Sequence, residues 1–194
     1  MNKKDKINWS GSIGTSPTDW YLCAHCGTKS HPLRAWVGDV IDTQTRISYT
    51  QNAAVLICPS CTRPTYINDR DEIQIPNPRL GADLKKLPTE VQQAYNEARD
   101  CSSVGAHTAT VMLARKILMY LAVVEGAETD LKFVQYVNFL ADKGHVPPKG
   151  KDWVGKIRDK GNEANHELPT MTSEDASEIM HLVEMLLRFN YEMV

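Results

Sequence analysis

Two pairs of cysteines carry the clearest chemistry in this chain. Cys23-Ala-His-Cys26 and Cys58-Pro-Ser-Cys61 are both CxxC turns. A CxxC turn puts two thiolates on one tight bend, where both reach a single ion at about 2.3 Å. Two such bends complete a tetrahedral shell of four sulfurs, and that donor set suits Zn²⁺. A shell of four protein ligands leaves no open coordination position, so the ion it implies is structural rather than catalytic. His25 and His31 are close enough in sequence to replace a thiolate, or they sit beside the site without ligating. Cys101 stands alone on a helical stretch and reads as an ordinary packed residue.

Gly27 follows the first pair, where the turn is expected to need positive φ. The apolar run Ala53–Ile57 leads straight into the second. Strands joining two metal knuckles are the layout of a zinc ribbon. The 31 residues between the pairs exceed the usual ~15–20, and an extra hairpin around Ile41–Tyr49 accounts for the difference. Lys29, Arg34, Arg46, Arg63 and Arg70, with Trp36, Tyr49 and Tyr66, offer a basic surface with stacking platforms for nucleic acid. The competing reading is a solvated face around a small core.

A second polar group lies in the C-terminal half. Val111, Met112, Leu118, Met119 and Ala122 form an apolar stripe, and Arg115 interrupts it. A buried guanidinium is costly unless it is paired and hydrogen-bonded. Arg115 therefore calls for a carboxylate, a backbone carbonyl or a ligand phosphate, or else its stem packs while its head reaches water. Arg158, Asn162 and His166 recur every four residues and share one side of a continuous helix. They either line a site for a phosphate or carboxylate, with Arg115 in reach, or brace one helix against its neighbour.

The elements that must position these groups fall into two stretches. Trp20 to about Ile75 has short β-branched and aromatic runs separated by turn residues. Residues 1–18, rich in Ser, Gly, Thr and Asn, read as a loose lead-in. Ile75-Pro76-Asn77-Pro78-Arg79-Leu80-Gly81 breaks any regular element, so a domain boundary is placed there: residues 1–80 as a Cys₄ zinc ribbon, residues 81–194 as a helical bundle. Beyond Leu87-Pro88 the apolar period becomes helical. Helices are expected from Thr89 (as cap) to Ser103, Ala106 to Glu125, Leu131 to Lys143 and Asp152 into Asn162–His166. A last one starts near Thr172-Ser173-Glu174-Asp175. Short connectors between amphipathic helices imply an antiparallel bundle. The fold class is therefore α+β.

Composition sets outer bounds. The chain has 194 residues, 42% of them hydrophobic, with 22 basic and 24 acidic side chains. A net charge of −2 gives no global pull toward nucleic acid or an anionic membrane. Residues 1–80 carry nine basic and seven acidic side chains, so the basic bias lies in the N-terminal half. No apolar run reaches the ~18 residues of a membrane span, and the N-terminus lacks a signal-peptide pattern. The expectation is a cytoplasmic protein without membrane contact, where paired cysteines serve metals rather than disulfides.

From Leu87 to Tyr191 the chain resembles the bacterial domain family DUF4145. The resemblance rests on Ala114-Arg115, Val146-Pro147, Ile157-Arg158, Gly161-Asn162, Ala164, His166 and Ser173-Glu174-Asp175-Ala176. That family has been considered similar to the HEPN superfamily of helical, commonly dimeric domains, many of them metal-independent ribonucleases of defence systems. The resemblance implies a HEPN-like bundle, a homodimer and a setting in bacterial defence or restriction. Two functions follow. In one, the chain is a non-catalytic module binding nucleic acid or a partner protein. In the other it is an endoribonuclease: His166 moves a proton at a ribose hydroxyl, Arg158 or Arg115 stabilises the phosphorane, and Asn162 orients the phosphate. Asn162-x-x-x-His166 matches the tail of the HEPN motif, whereas Gly161 stands where that motif has its arginine. The non-catalytic reading is therefore preferred.

Overall fold

The computed structural model describes residues 6–14, 20–32, 34–145 and 170–193. The chain divides into two compact units, Met1–Arg79 and Leu80–Val194. The first is β-rich and the second helical, an α+β arrangement.

The first unit is built on a five-stranded antiparallel sheet in the order β1-β4-β5-β6-β7. Its strands are β1 (Lys6–Gly14), β4 (Arg34–Ile41), β5 (Ser48–Ile57), β6 (Pro64–Asn68) and β7 (Ile73–Ile75). The short hairpin of β2 (Tyr21–Leu22) and β3 (Lys29–Ser30) stands apart from it. The expected lead-in is instead partly strand, because Lys6–Gly14 pairs with β4 and satisfies the backbone of that edge. The hairpin expected around Ile41–Tyr49 is the β4–β5 connection. At its tip Asp42 accepts backbone N–H bonds from Gln44 and Thr45. Asp42 also takes the Arg70 guanidinium at 2.8 Å, and that guanidinium lies over the Tyr49 ring. The backbone bonds, then the arginine, hold the Asp42 carboxyl down at about 2. Gln51 adopts positive φ where the β4–β5 register shifts, and its N–H is taken by Asp39. This is a bulge that the long strand absorbs.

Side chains alternate across a strand, so the sheet has two distinct faces. Ala35, Val37, Ala54, Leu56 and Ile67 point to one of them. They form a core with Tyr21, Cys23 and Cys58. The knuckles and the β2–β3 hairpin therefore cover that face.

The second unit contains α1 (Thr89–Ser103), α2 (His107–Val124), α3 (Phe133–Asp142) and α4 (Ser173–Leu187), ending in a π-helical turn at Arg188–Glu192. Thr89 lies inside α1 and makes no side-chain cap; Pro88 holds the cap position, where its fixed φ starts the helix without needing an N–H. Thr172 does cap α4, exchanging bonds with Asp175 in a capping box. The α2 helix packs against α1, α3 and α4, and Leu118, Leu121, Ile179, Met180 and Leu186 meet in the core. By length and composition alone α2 is apolar enough to cross a membrane; packing on three neighbours covers part of that apolar surface. The helix expected over 152–166 lies outside the described residues.

Candidate metal centre

The two CxxC turns fold alike because they obey the same backbone rules. In each, the first cysteine's N–H bonds the carbonyl five residues on, from Cys23 to Thr28 and from Cys58 to Arg63. In each, the N–H four residues on returns to that cysteine's carbonyl, from Gly27 and from Thr62. Closing this loop forces the returning residue into the left-handed region, with φ 69 at Gly27 and 59 at Thr62. The glycine meets this need without a Cβ penalty. The threonine meets it against one.

The four Sγ atoms lie within 4.8 Å of one another. Cys23–Cys61 and Cys26–Cys58 are each 3.7 Å apart. Ligands at 2.3 Å around a tetrahedral ion are separated by about 3.8 Å. Those two distances pair sulfurs across the knuckles, so the set closes on one point rather than on two separate turns. Cys23 and Cys58 are buried, Cys61 half-buried and Cys26 exposed. The distance and the all-thiol donor set both fit a single soft divalent cation.

Electrostatics give the same picture. Burial, the largest influence, pushes the Cys23 thiol up to about 12. At Cys58 burial is outweighed by the backbone N–H groups of Cys61 and Ser60 and by neighbouring thiols, which bring it down to about 6. Burial, then the charges of Cys58 and Cys23, raises the nearby Tyr21 phenol. The Thr28 hydroxyl and N–H, the largest influences, also lower Cys26, whereas burial raises Cys61 as it does Cys23. Ionising all four needs a cation among them.

Neither histidine joins the sulfurs. His25 Nε2 lies 3.1 Å from the Pro64 carbonyl oxygen, which leaves it as a hydrogen-bond donor. The His31 ring sits edge-on to Trp20. Cys101 lies on α1, half-buried and remote in sequence from the cluster.

The polar group of the helical half is described only in part. Arg158, Asn162 and His166 lie outside the described residues. Arg115 is half-buried, and its guanidinium stacks on the Phe133 ring at 4.4 Å. Burial lowers its pKa. Among the described residues the aromatic face of α3 is its partner. A different arginine forms the buried polar node. Arg99 is 6% exposed and donates to the carbonyls of Leu80 and Gly81 and to Asp83 and Asn96. It pins the start of the helical unit to α1. The α1 core positions Val91, Tyr95, Ala98 and Ser102 flank it at helical spacing, so the reasoning that singled out Arg115 would also have found Arg99.

Fold and site together define a class: a tetracysteine β-module followed by a helical domain. Residues 96–194 match the family described as "Domain of unknown function (DUF4145)". This covers half the chain, and the chain belongs to that family. No curated protein matches it, and no solved structure does.

Proposed function

We propose that the chain is a non-catalytic recognition protein whose N-terminal unit is ordered by one Zn²⁺ on Cys23, Cys26, Cys58 and Cys61 and binds nucleic acid. The observation that carries this reading is the closed set of four thiols. All four positions of a tetrahedral ion are taken by protein, so the metal holds the unit together and offers nothing to a substrate. What the unit presents outward then decides its role.

The distribution of charge favours a polyanion. Among the described residues Lys29, Arg34, Arg46 and Arg63 have no carboxylate partner. Of the described acidic residues in this unit, Asp39, Asp42 and Asp71 are engaged by Gln51, by Gln44, Thr45 and Arg70, and by Asn68, while Asp69 and Glu72 stand exposed in the β6–β7 turn. Arg70 and Tyr49, also candidates for the surface, are taken up by each other. The helical unit is read as the dimerising part, in keeping with the HEPN-like resemblance, and the setting as bacterial defence.

Fluorescence anisotropy with labelled single-stranded and duplex oligonucleotides tests the reading. Binding is expected to weaken steeply as salt rises, since phosphate contacts release counterions. Absence of binding to every oligonucleotide at 50 μM protein and about 50 mM salt would overturn it.

A further inference from the structure

The sheet face opposite the knuckles is unusual. When one face of an antiparallel sheet is packed, the other is ordinarily polar. Here one row of cross-strand partners runs Trp36, Val55, Tyr66 and Ile75 across four strands. Paired residues point to the same side of a sheet, and these four alternate with the core positions Ala35, Val37, Ala54, Leu56 and Ile67. Trp36 is 53% exposed and Ile75 51%. Trp9, on β1 opposite Gly38, is 44% exposed and meets the Tyr66 ring edge-on at 6.4 Å. Gly38 is what lets it lie there. A Cβ at that position would come within 3.0 Å of the Trp9 ring and 2.8 Å of Ile7. The strand interior has thus given up a side chain, at a cost in strand stability, to seat an indole that remains partly in water.

The chemistry of this face selects its occupant. Its exposed rings are aromatic, and the neighbouring row, Arg34 with Ile57 and Pro64, adds a guanidinium with no ion pair among the described residues. The strands of the sheet contain one acidic residue, Asp39, already bonded to the Gln51 N–H. A surface of aromatic planes with a guanidinium beside them suits unpaired bases on a polyanionic strand; the Asp71 carboxylate, whose charge reaches the Tyr66 phenol, already takes the Asn68 amide. A duplex presents its bases stacked inward and has no faces to give.

We propose that this face, centred on Trp36 with the Trp9–Tyr66 pair, is a stacking platform for single-stranded nucleic acid. The inference rests on the nucleic-acid reading above and narrows it to a strand type and a surface. The test uses the full chain, a labelled 12-mer of oligo(dT) or oligo(U), and a duplex of equal length. Trp36→Ala is the main variant and Trp36→Phe the conservative one, each checked for metal content and far-UV circular dichroism. Single strands are expected to bind more tightly than duplex. Trp36→Ala is expected to weaken single-strand binding by about 5- to 150-fold, with most of the affinity kept in Trp36→Phe. Should Trp36→Ala fail to fold, quenching of tryptophan fluorescence by bound oligonucleotide, reduced but not abolished in Trp36→Phe because Trp9 remains on the face, reads the same contact. Binding that is equal for duplex and single strand, or indifferent to Trp36→Ala, overturns the platform and leaves the broader reading standing. No binding to any nucleic acid overturns both. If a protein partner is then lost on Trp36→Ala, the face belongs to that partner.

Discussion

At the residue scale, the two knuckles make a matched pair that differs at one position. Gly27 and Thr62 occupy equivalent places with nearly equal φ, and a Cβ added at Gly27 would meet nothing within 4 Å. Gly27→Ala therefore tests backbone strain alone, and should cost the unit about 1 kcal/mol. Thr62→Gly removes strain already present and should raise thermal stability by about 0.5–1 kcal/mol. Opposite shifts are expected in the melting of metal-loaded protein. Equal shifts of the same sign would mean that the two turns are not equivalent. Sequence showed half of this. A glycine after a CxxC announces a left-handed turn, but a threonine there announces nothing, because its side chain argues against the conformation that the hydrogen bonds impose. The cysteine quartet was legible because ligand spacing is set by the ion rather than by the fold. Zinc analysis of protein purified without added metal should give one ion per chain, and Cys58→Ser well under half of one.

At the scale of elements, metal and hairpin can be separated by acid. Asp42 is held at about 2, below the ordinary carboxylate value. Such a group stabilises fully above its unfolded pKa, near 3.9, and loses that contribution only as pH falls toward its folded value. Protons compete with a metal for thiolates well above that range. Loss of the β-unit on acidification from pH 7 to about 4 should therefore coincide with metal release in the wild type and in Asp42→Asn alike, the variant losing the unit at a somewhat higher pH because it lacks the carboxylate's contribution. Loss of the unit ahead of metal release would assign the transition to the hairpin instead. In the helical unit, Arg99→Met should cost about 2–4 kcal/mol, since the Leu80 and Gly81 carbonyls lose charged donors in a buried setting. Arg99→Lys should recover only part of this, having no planar fork. Helix periodicity located α1 to α4 within a few residues, and Thr172 announced its cap. The β1 strand was missed because Ser and Gly interrupt its apolar positions. Its period-two pattern of Ile7, Trp9 and Ile13 was the better signal.

At the scale of the whole molecule, the metal should govern one unit and not the other. Each has its own core, so chelation should abolish the near-UV signal of the β-unit while far-UV helicity persists. Collapse of both together would show that the helical unit depends on the first. Self-association is the second expectation at this scale. Met112, Tyr120, Val123 and Val124 on α2 are exposed, as are Phe189 and Met193 at the terminal turn. That much outward apolar surface exceeds what an isolated bundle needs, and two-fold pairing is the commonest way to cover it. Sedimentation at micromolar concentration should give a dimer, and a clean monomer would count against it.

The four-thiol cluster also has a consequence for isoelectric behaviour. Loading one dication onto four neutral thiols displaces up to four protons, so the formal charge of the chain moves from −2 to about −4. Loaded and empty chains should therefore separate on anion exchange, the loaded form eluting later. The added negative charge sits on the knuckle side of the sheet. Filling the metal site makes the sheet an electrically two-faced plate, and an approaching polyanion is turned away from the sulfurs toward the indoles on the other side.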